Sequence, residues 1–160
     1  MTADRVTNVV VAGLGGQGVI RASDVLAEAA FLAGHDVKKS ELHGMAQRGG
    51  SVHGDVRFGP HVLSPMITPG EADFLVVLEP SEVEPHRHRL RPEGRLLTPT
   101  AVDLAALPGK KSLNVALLAV LARHLPFPLA AWHQAIDRHF RPDLAGPSRE
   151  LFARIFHARP

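Results

Sequence analysis

The chain has 160 residues, enough for one domain with a real hydrophobic core, and its 18 Lys and Arg against 16 Asp and Glu leave a formal charge of only +2. That balance offers no basic surface for nucleic acid, and the lack of cysteine excludes disulfides, thiolate-bound zinc and any iron–sulfur cluster held by this chain. No apolar run approaches the roughly 20 residues that span a bilayer, and Met1 to Arg5 carry no secretory h-region, so a cytoplasmic single domain over residues 1–160 is expected.

Val9, Val10, Val11 and Ala12 form an apolar run of the length of a buried strand. Behind it, Gly13-Leu14-Gly15-Gly16-Gln17-Gly18 opens onto a segment where Val19, Ala22, Leu26, Ala29, Ala30 and Ala33 recur every three or four residues. Arg21, Asp24 and Glu28 lie elsewhere on the wheel, which predicts a helix packed on a sheet and closed by Gly34 at a left-handed C-cap. Strand, glycine turn and helix N-terminus are the context of the dinucleotide fingerprint, with Gly13, Gly15 and Gly18 on its pattern. Glycines let the backbone approach a ligand, and the free N–H groups and dipole of the helix start favour an anion. A dinucleotide fold also places an acid roughly 20 residues further on to hold a ribose. Asp36 and Glu41 are the candidates, but Glu41 leads into Leu42-His43-Gly44-Met45-Ala46-Gln47-Arg48-Gly49-Gly50, a polar glycine-punctuated loop where a second helix would be needed.

Ser51 to Phe58 alternates: Val52, Gly54, Val56 and Phe58 share one side, His53, Asp55 and Arg57 the other. Gly59-Pro60 predicts a hairpin into His61-Val62-Leu63-Ser64 before Pro65. Asp73 to Glu79 reads as a strand covered on both faces. Ser81 and Glu84 have capping-box spacing, so a short basic helix is expected from Glu82, and Arg95 to Thr98 as a strand. Asp103 to Pro108 is ambiguous. Leu113 to Leu125 is predicted as a helix with Ser112 as N-cap, then Leu129 to Phe140 and Ser148 to His157 as two more, separated by Arg141-Pro142 and Gly146-Pro147. The fold class is α/β: a single Rossmann-like layered domain with a mainly parallel sheet, an inserted hairpin and C-terminal helices.

Gly13 to Val19, Ser40 to Val52 and Val56 to Gly59 closely resemble the gamma-type domain of 2-oxoacid:ferredoxin oxidoreductases. The form His43-Gly44-Met45-Ala46-Gln47-Arg48-Gly49-Gly50 looks most like the small beta subunits of indolepyruvate oxidoreductases. The likeness covers residues 7 to 80 well and the remainder thinly, and Ser148 stands where the family pattern carries asparagine.

The resemblance implies a small subunit of a thiamine-dependent 2-oxoacid:ferredoxin oxidoreductase acting on indolepyruvate or another arylpyruvate and forming an acyl-CoA. Thiamine diphosphate, Mg2+ and the iron–sulfur clusters would lie on a larger partner subunit, with coenzyme A as co-substrate and ferredoxin as the acceptor reached through the complex. This chain has neither cysteine nor a Gly-Asp-Gly…Asn thiamine signature, so it would not be active alone.

Each candidate residue also has a plainer role. Gly13, Gly15, Gly16 and Gly18 either make only a tight turn or meet an anionic cofactor, with the amide of Gln17 at the helix mouth. Arg48-Gly49-Gly50-Ser51 is either a solvated loop or a site for a ligand phosphate or carboxylate, or for a partner's carboxylate across an interface. Asn114 starts a helix, and in the resemblance it matches a recurrent asparagine. His43 has the chemistry of a general acid–base group but no assigned nucleophile or carboxylate, so an ordinary polar loop residue is the expected reading and no catalytic residue is named. His86 and His88 diverge on a helix and make no zinc site. Two other classes stay open: a stand-alone Rossmann-like nucleotide or flavin binder, and a noncatalytic scaffold subunit whose glycine turns only pack against a partner.

Overall fold

In the computed structural model, which describes residues 5–44 and 49–158, the apolar run lies in β1 (Thr7–Leu14) at the centre of a five-stranded sheet. With β2 (Asp36–His43), β3 (Ser51–Gly59), β4 (Ala72–Val77) and β5 (Leu90–Leu97), the order is β2-β3-β1-β4-β5. β1 pairs parallel with β4 and β4 with β5, while β3 runs antiparallel to both β1 and β2, so four strands share one direction.

Central position explains the unbroken hydrophobicity of β1 and β4, since both faces of each strand are covered. Val9, Val11, Phe74 and Val76 enter the larger core with α1 (Val19–Leu32) and α3 (Leu113–Ala122). Val10, Ala12, Leu75 and Val77 point the other way, into a smaller cluster with Ile67 and Ala72. β3 keeps the predicted alternation. Its Gly54 lets α1 approach so closely that a Cβ there would lie 2.9 Å from Ser23 Cβ. β2 is one of the two edge strands, and Lys38, Lys39 and Glu41 are exposed along it, as suits an edge that should not recruit further strands.

The hairpin expected between Ser51–Phe58 and His61–Ser64 does not form, and β3 has a different hairpin partner. β3 pairs with β2, from Asp36 opposite Gly59 to His43 opposite Val52, and residues 61–64 leave the sheet. A strand has two edges, and those of β3 are filled by β2 and β1, so no ladder remains for His61 to Ser64. Val62 instead gives its N–H to Asp36 Oδ2 at 2.8 Å.

The stretch between β4 and β5 also departs from expectation. Pro80–Glu82 forms a tight turn, α2 (Val83–His86) is one turn long, and no side chain caps either, so Ser81 and Glu84 do not form a capping box. Glu84 pairs with Arg87 at 2.9 Å instead. Within the basic run, His86 and Arg89 are buried while Arg87 and His88 are exposed.

α3, α4 (Leu129–His139) and α5 (Pro142–His157) gather on the α1 side. Trp132 is wholly buried, with ring centroids 5.7 Å from Phe127 and 5.2 Å from Phe152. Ser112 ends a tight turn from Lys110 and does not cap α3 with its side chain; Asn114 Oδ1 accepts the Val115 N–H at 2.8 Å. Gly146-Pro147 does not separate helices. α5 already starts at Pro142, and Pro147 sits inside it facing solvent, where the loss of one hydrogen bond is borne by the rest of a 16-residue helix. Among the described residues, no helix is long and apolar enough to cross a membrane.

Candidate functional site

The two glycine turns meet at the C-terminal end of β1. Gly15 donates its N–H to the Gly50 carbonyl at 2.9 Å, and Gly44 donates to Ser51 at 2.6 Å, so the loop after β2 is laced to the turn before α1. Gly16 and Gly18 have φ of 90° and 82°, the left-handed region that favours glycine. Gly18 is the N-cap of α1 and supplies no side-chain cap, leaving the first-turn N–H groups of α1 aimed outward.

The six-residue turn divides its labour. Gly13 lies in β1 beneath the surface, where a Cβ would stand 2.8 Å from Gln17 Oε1 and 2.9 Å from Val19 Cγ2. Its glycine is a packing requirement. Gln17 folds back: its Oε1 accepts the Leu14 N–H at 2.7 Å and its Nε2 donates to Glu79 Oε2 at 2.9 Å. The amide that sequence places at the helix mouth therefore braces the turn against the end of β4. Asn114 is buried, and its Nδ2 donates to the Gly18 carbonyl at 3.3 Å.

Above this floor lies an open groove of about 640 Å3. Gly15, Gly16, Gln17, Gly18 and Asn114 line it, and so does His43. Gly49 and Gly50 touch its base through Gly15. Ser51 turns its hydroxyl away, to Glu82 Oε2 at 2.9 Å on the second face of the sheet. Arg48 lies outside the described residues.

The groove also holds residues that sequence reasoning missed. Arg21 comes from the first turn of α1 and stacks its guanidinium 5.2 Å above the ring of Phe140, and Lys111 arrives from the turn before α3. Leu144 and Ser148 close the far wall from α5. Arg21 sits three residues after Gly18, so a signal was present; Lys111 and Phe140 are brought in by long-range packing alone. Asp24, the acid in the groove, is paired with Lys39. A helix start with free N–H groups flanked by two cations and an aromatic ring suits an oxyanion attached to an apolar or planar body.

Behind the second turn is a buried polar network. Glu82 accepts from Ser51 and lies 3.3 Å from His86 Nε2, and His53 packs edge-on to His86 with centroids 5.1 Å apart. Asp55 meets His53 Nδ1 at 3.2 Å and Arg89 Nη2 at 2.6 Å. Burial pushes the Asp55 carboxyl up, but hydrogen bonds from His53 and Arg89 outweigh it and hold it below its ordinary value. Burial, helped by the neighbouring His53 and Arg89 charges and opposed by Glu82, lowers His86 below the ordinary histidine value. Among the described residues, no group of three His, Asp or Glu side chains is placed to hold a metal.

The chain is similar to known proteins. The chain is 52% identical over 75 residues to the indolepyruvate oxidoreductase subunit IorB of Archaeoglobus fulgidus, a match covering 47% of this chain and 37% of that protein. The match covers less than half the length of this and similar curated relatives. Its fold is that of the gamma subunit of a keto/oxoacid ferredoxin oxidoreductase from Geobacter sulfurreducens, with a TM-score of 0.76 over 95% of both chains at 19% identity. It also matches 2-oxoglutarate:ferredoxin oxidoreductase from Magnetococcus marinus, whose structure holds 2-oxoglutarate, coenzyme A and succinyl-CoA; there the TM-score is 0.79 at 16% identity, over 98% of this chain and 32% of that one. The family model described as pyruvate ferredoxin/flavodoxin oxidoreductase matches residues 8–154, and the chain belongs to that family.

Proposed function

We propose that this chain is the small, gamma-type subunit of a cytoplasmic 2-oxoacid:ferredoxin oxidoreductase that converts indolepyruvate or a related arylpyruvate to its acyl-CoA. The observation that carries the reading is the groove over Gly15 to Gly18, where the uncapped start of α1 faces Arg21 and Lys111. Such a site accepts the phosphate end of coenzyme A, and the ring of Phe140 offers a flat wall to a planar group.

The chain's own residues fit neither of the cofactors such an enzyme needs. It has no thiolate for an iron–sulfur cluster and no Gly-Asp-Gly…Asn thiamine signature, and among the described residues no group of three His, Asp or Glu side chains could hold a metal ion. Both groups belong to a larger partner subunit, from which electrons pass to ferredoxin. This chain binds, orients and packs.

The test is anaerobic purification of the tagged chain from its native cytosol. The eluate is assayed for reduction of an artificial acceptor with indolepyruvate, coenzyme A and thiamine diphosphate. Co-elution of a large cluster-bearing subunit, with activity needing both chains and the aryl oxoacid, supports the proposal. A chain that elutes alone and inert yet is stabilised by a nucleotide or flavin overturns it in favour of a stand-alone binder.

A further inference from the structure

At the other end of β1 from the glycine turns, three arginines converge. Arg5 precedes β1, Arg57 lies near the end of β3 in register with Asn8, and Arg91 lies at the start of β5. The order β3-β1-β4-β5 brings them to one end of the sheet, where they line a pocket of about 290 Å3 together with Asn8, Gly70 and Glu71.

One buried carboxylate, Asp73, serves two of these cations. It pairs with Arg5, lies 3.0 Å from Arg91 Nε, and also accepts the backbone N–H of Asn8 at 2.8 Å. Arg57 is held by neutral oxygens: its Nε donates to Asn8 Oδ1 at 2.9 Å and its Nη1 to the Ser64 carbonyl at 2.7 Å. The remaining acids are at the rim. Glu71 is exposed, and Glu93 is 87% exposed and 3.9 Å from Arg91. Exposed acids are screened by water, so they offset the charge weakly. The pocket thus carries three guanidinium groups, two of them held by hydrogen bonds, against one buried acid.

A single arginine would satisfy Asp73, so neutralising it does not account for the other two. The guanidinium groups of Arg5 and Arg57, whose planes are already set by hydrogen bonds, lose little freedom on meeting a ligand, and the fork geometry of all three matches phosphate and carboxylate alike. We propose that the pocket formed by Arg5, Arg57 and Arg91 binds an oxyanion, a phosphate or carboxylate group, at the end of the sheet remote from the glycine turns. This site is independent of the function proposed above.

The test is a titration of the full chain with sodium phosphate, and separately with sodium acetate, at ionic strength held constant with chloride, followed by amide chemical shifts. Saturable shifts at Asn8, Gly70 and Glu71 are expected, with phosphate or acetate whichever oxyanion the pocket prefers. Loss of one charge-assisted contact in Arg57→Gln or Arg91→Gln weakens binding about tenfold or more, whereas Arg87→Gln on the surface leaves it unchanged. Arg91→Lys keeps the charge but loses the fork, and it also weakens binding in a spectrum that otherwise stays dispersed. Shifts that rise linearly with either salt, or that survive Arg57→Gln and Arg91→Gln at full strength, overturn the proposal.

Discussion

The side-chain amide of Asn114 donates to the carbonyl of Gly18 at 3.3 Å, joining the start of α3 to the start of α1 across 96 residues of sequence. The pair is also in steric contact: a Cβ built on Gly18 would meet Asn114 Cγ at 3.1 Å and its Nδ2 closer still. The groove floor therefore depends on a glycine at 18 for two reasons, its φ of 82° and the space Asn114 occupies.

Gly16 has the same backbone need, with a φ of 90°, but open space where a Cβ would go. Gly16→Ala is expected to cost about 1–2 kcal/mol, the strain of the left-handed backbone alone. Gly18→Ala adds overpacking and costs about 3 kcal/mol or more. Urea denaturation of the two variants measures the difference, and equal losses would mean that Asn114 moves aside without penalty.

Gly54 and Ser23 set how closely α1 rests on β3. Gly54→Ala is expected to destabilise the chain by about 2 kcal/mol, because the new methyl meets a wholly buried Ser23. Adding Ser23→Gly costs about 1 kcal/mol in the helix but removes the collision, so the double variant is more stable than the sum of the singles predicts. A strictly additive cycle would contradict the contact.

The buried network beneath Ser51 makes stability depend on pH in two steps. His86 titrates below its ordinary 6.5 in the folded chain, so the unfolded chain binds more protons as pH falls through that value. This contribution is complete above 6.5 and is lost as pH drops toward the folded value. His124 and His133 are lowered by burial too and add to the step. Asp55 lies below its ordinary 3.8, so its contribution is present above that value and lost as pH falls through the folded one. His86→Phe should shrink the first step and Asp55→Asn the second, read from denaturation midpoints across the pH range.

Lys111 is exposed at the groove, and no hydrogen bond or ion pair of the described residues depends on it. In the assembled complex, Lys111→Ala is expected to raise the KM for coenzyme A about tenfold with little change in kcat, the pattern of lost ground-state binding. The thermal midpoint of the isolated chain should stay within a degree or so, since surface substitutions of this kind are worth about 0.5 kcal/mol at most. A KM that does not move would remove Lys111 from the proposed coenzyme A site.

Much of the fold was legible because local physics dictates it. The apolar run of β1, the wheel of α1, the alternation of β3 and the glycines between β1 and α1 each follow from neighbours a few residues apart. The structure gathers Gly15, Gly16, Gly18 and Asn114 on one groove, a juxtaposition of Asn114 with the glycine turn that the sequence alone did not supply. The capping box at Ser81 failed because Pro80 had already drawn that residue into the middle of a tight turn, and the break at Gly146-Pro147 failed because Pro142 had started the helix earlier.

By itself, then, the sequence determined the strands β1, β3 and β4 and the helices α1, α3 and α4, where the backbone turns through glycine after β1, and that this chain has no thiolate to carry electrons. Only the tertiary structure decided that β3 pairs with β2, that Gln17 is spent on Leu14 and Glu79, that Ser51 faces Glu82, and that Arg21, Lys111 and Phe140 share a groove. The reason is physical. Periodicity is a property of near neighbours, whereas a strand edge, a buried amide or a cation at a helix start is satisfied by whichever group the packing brings within about 3 Å, however distant in sequence.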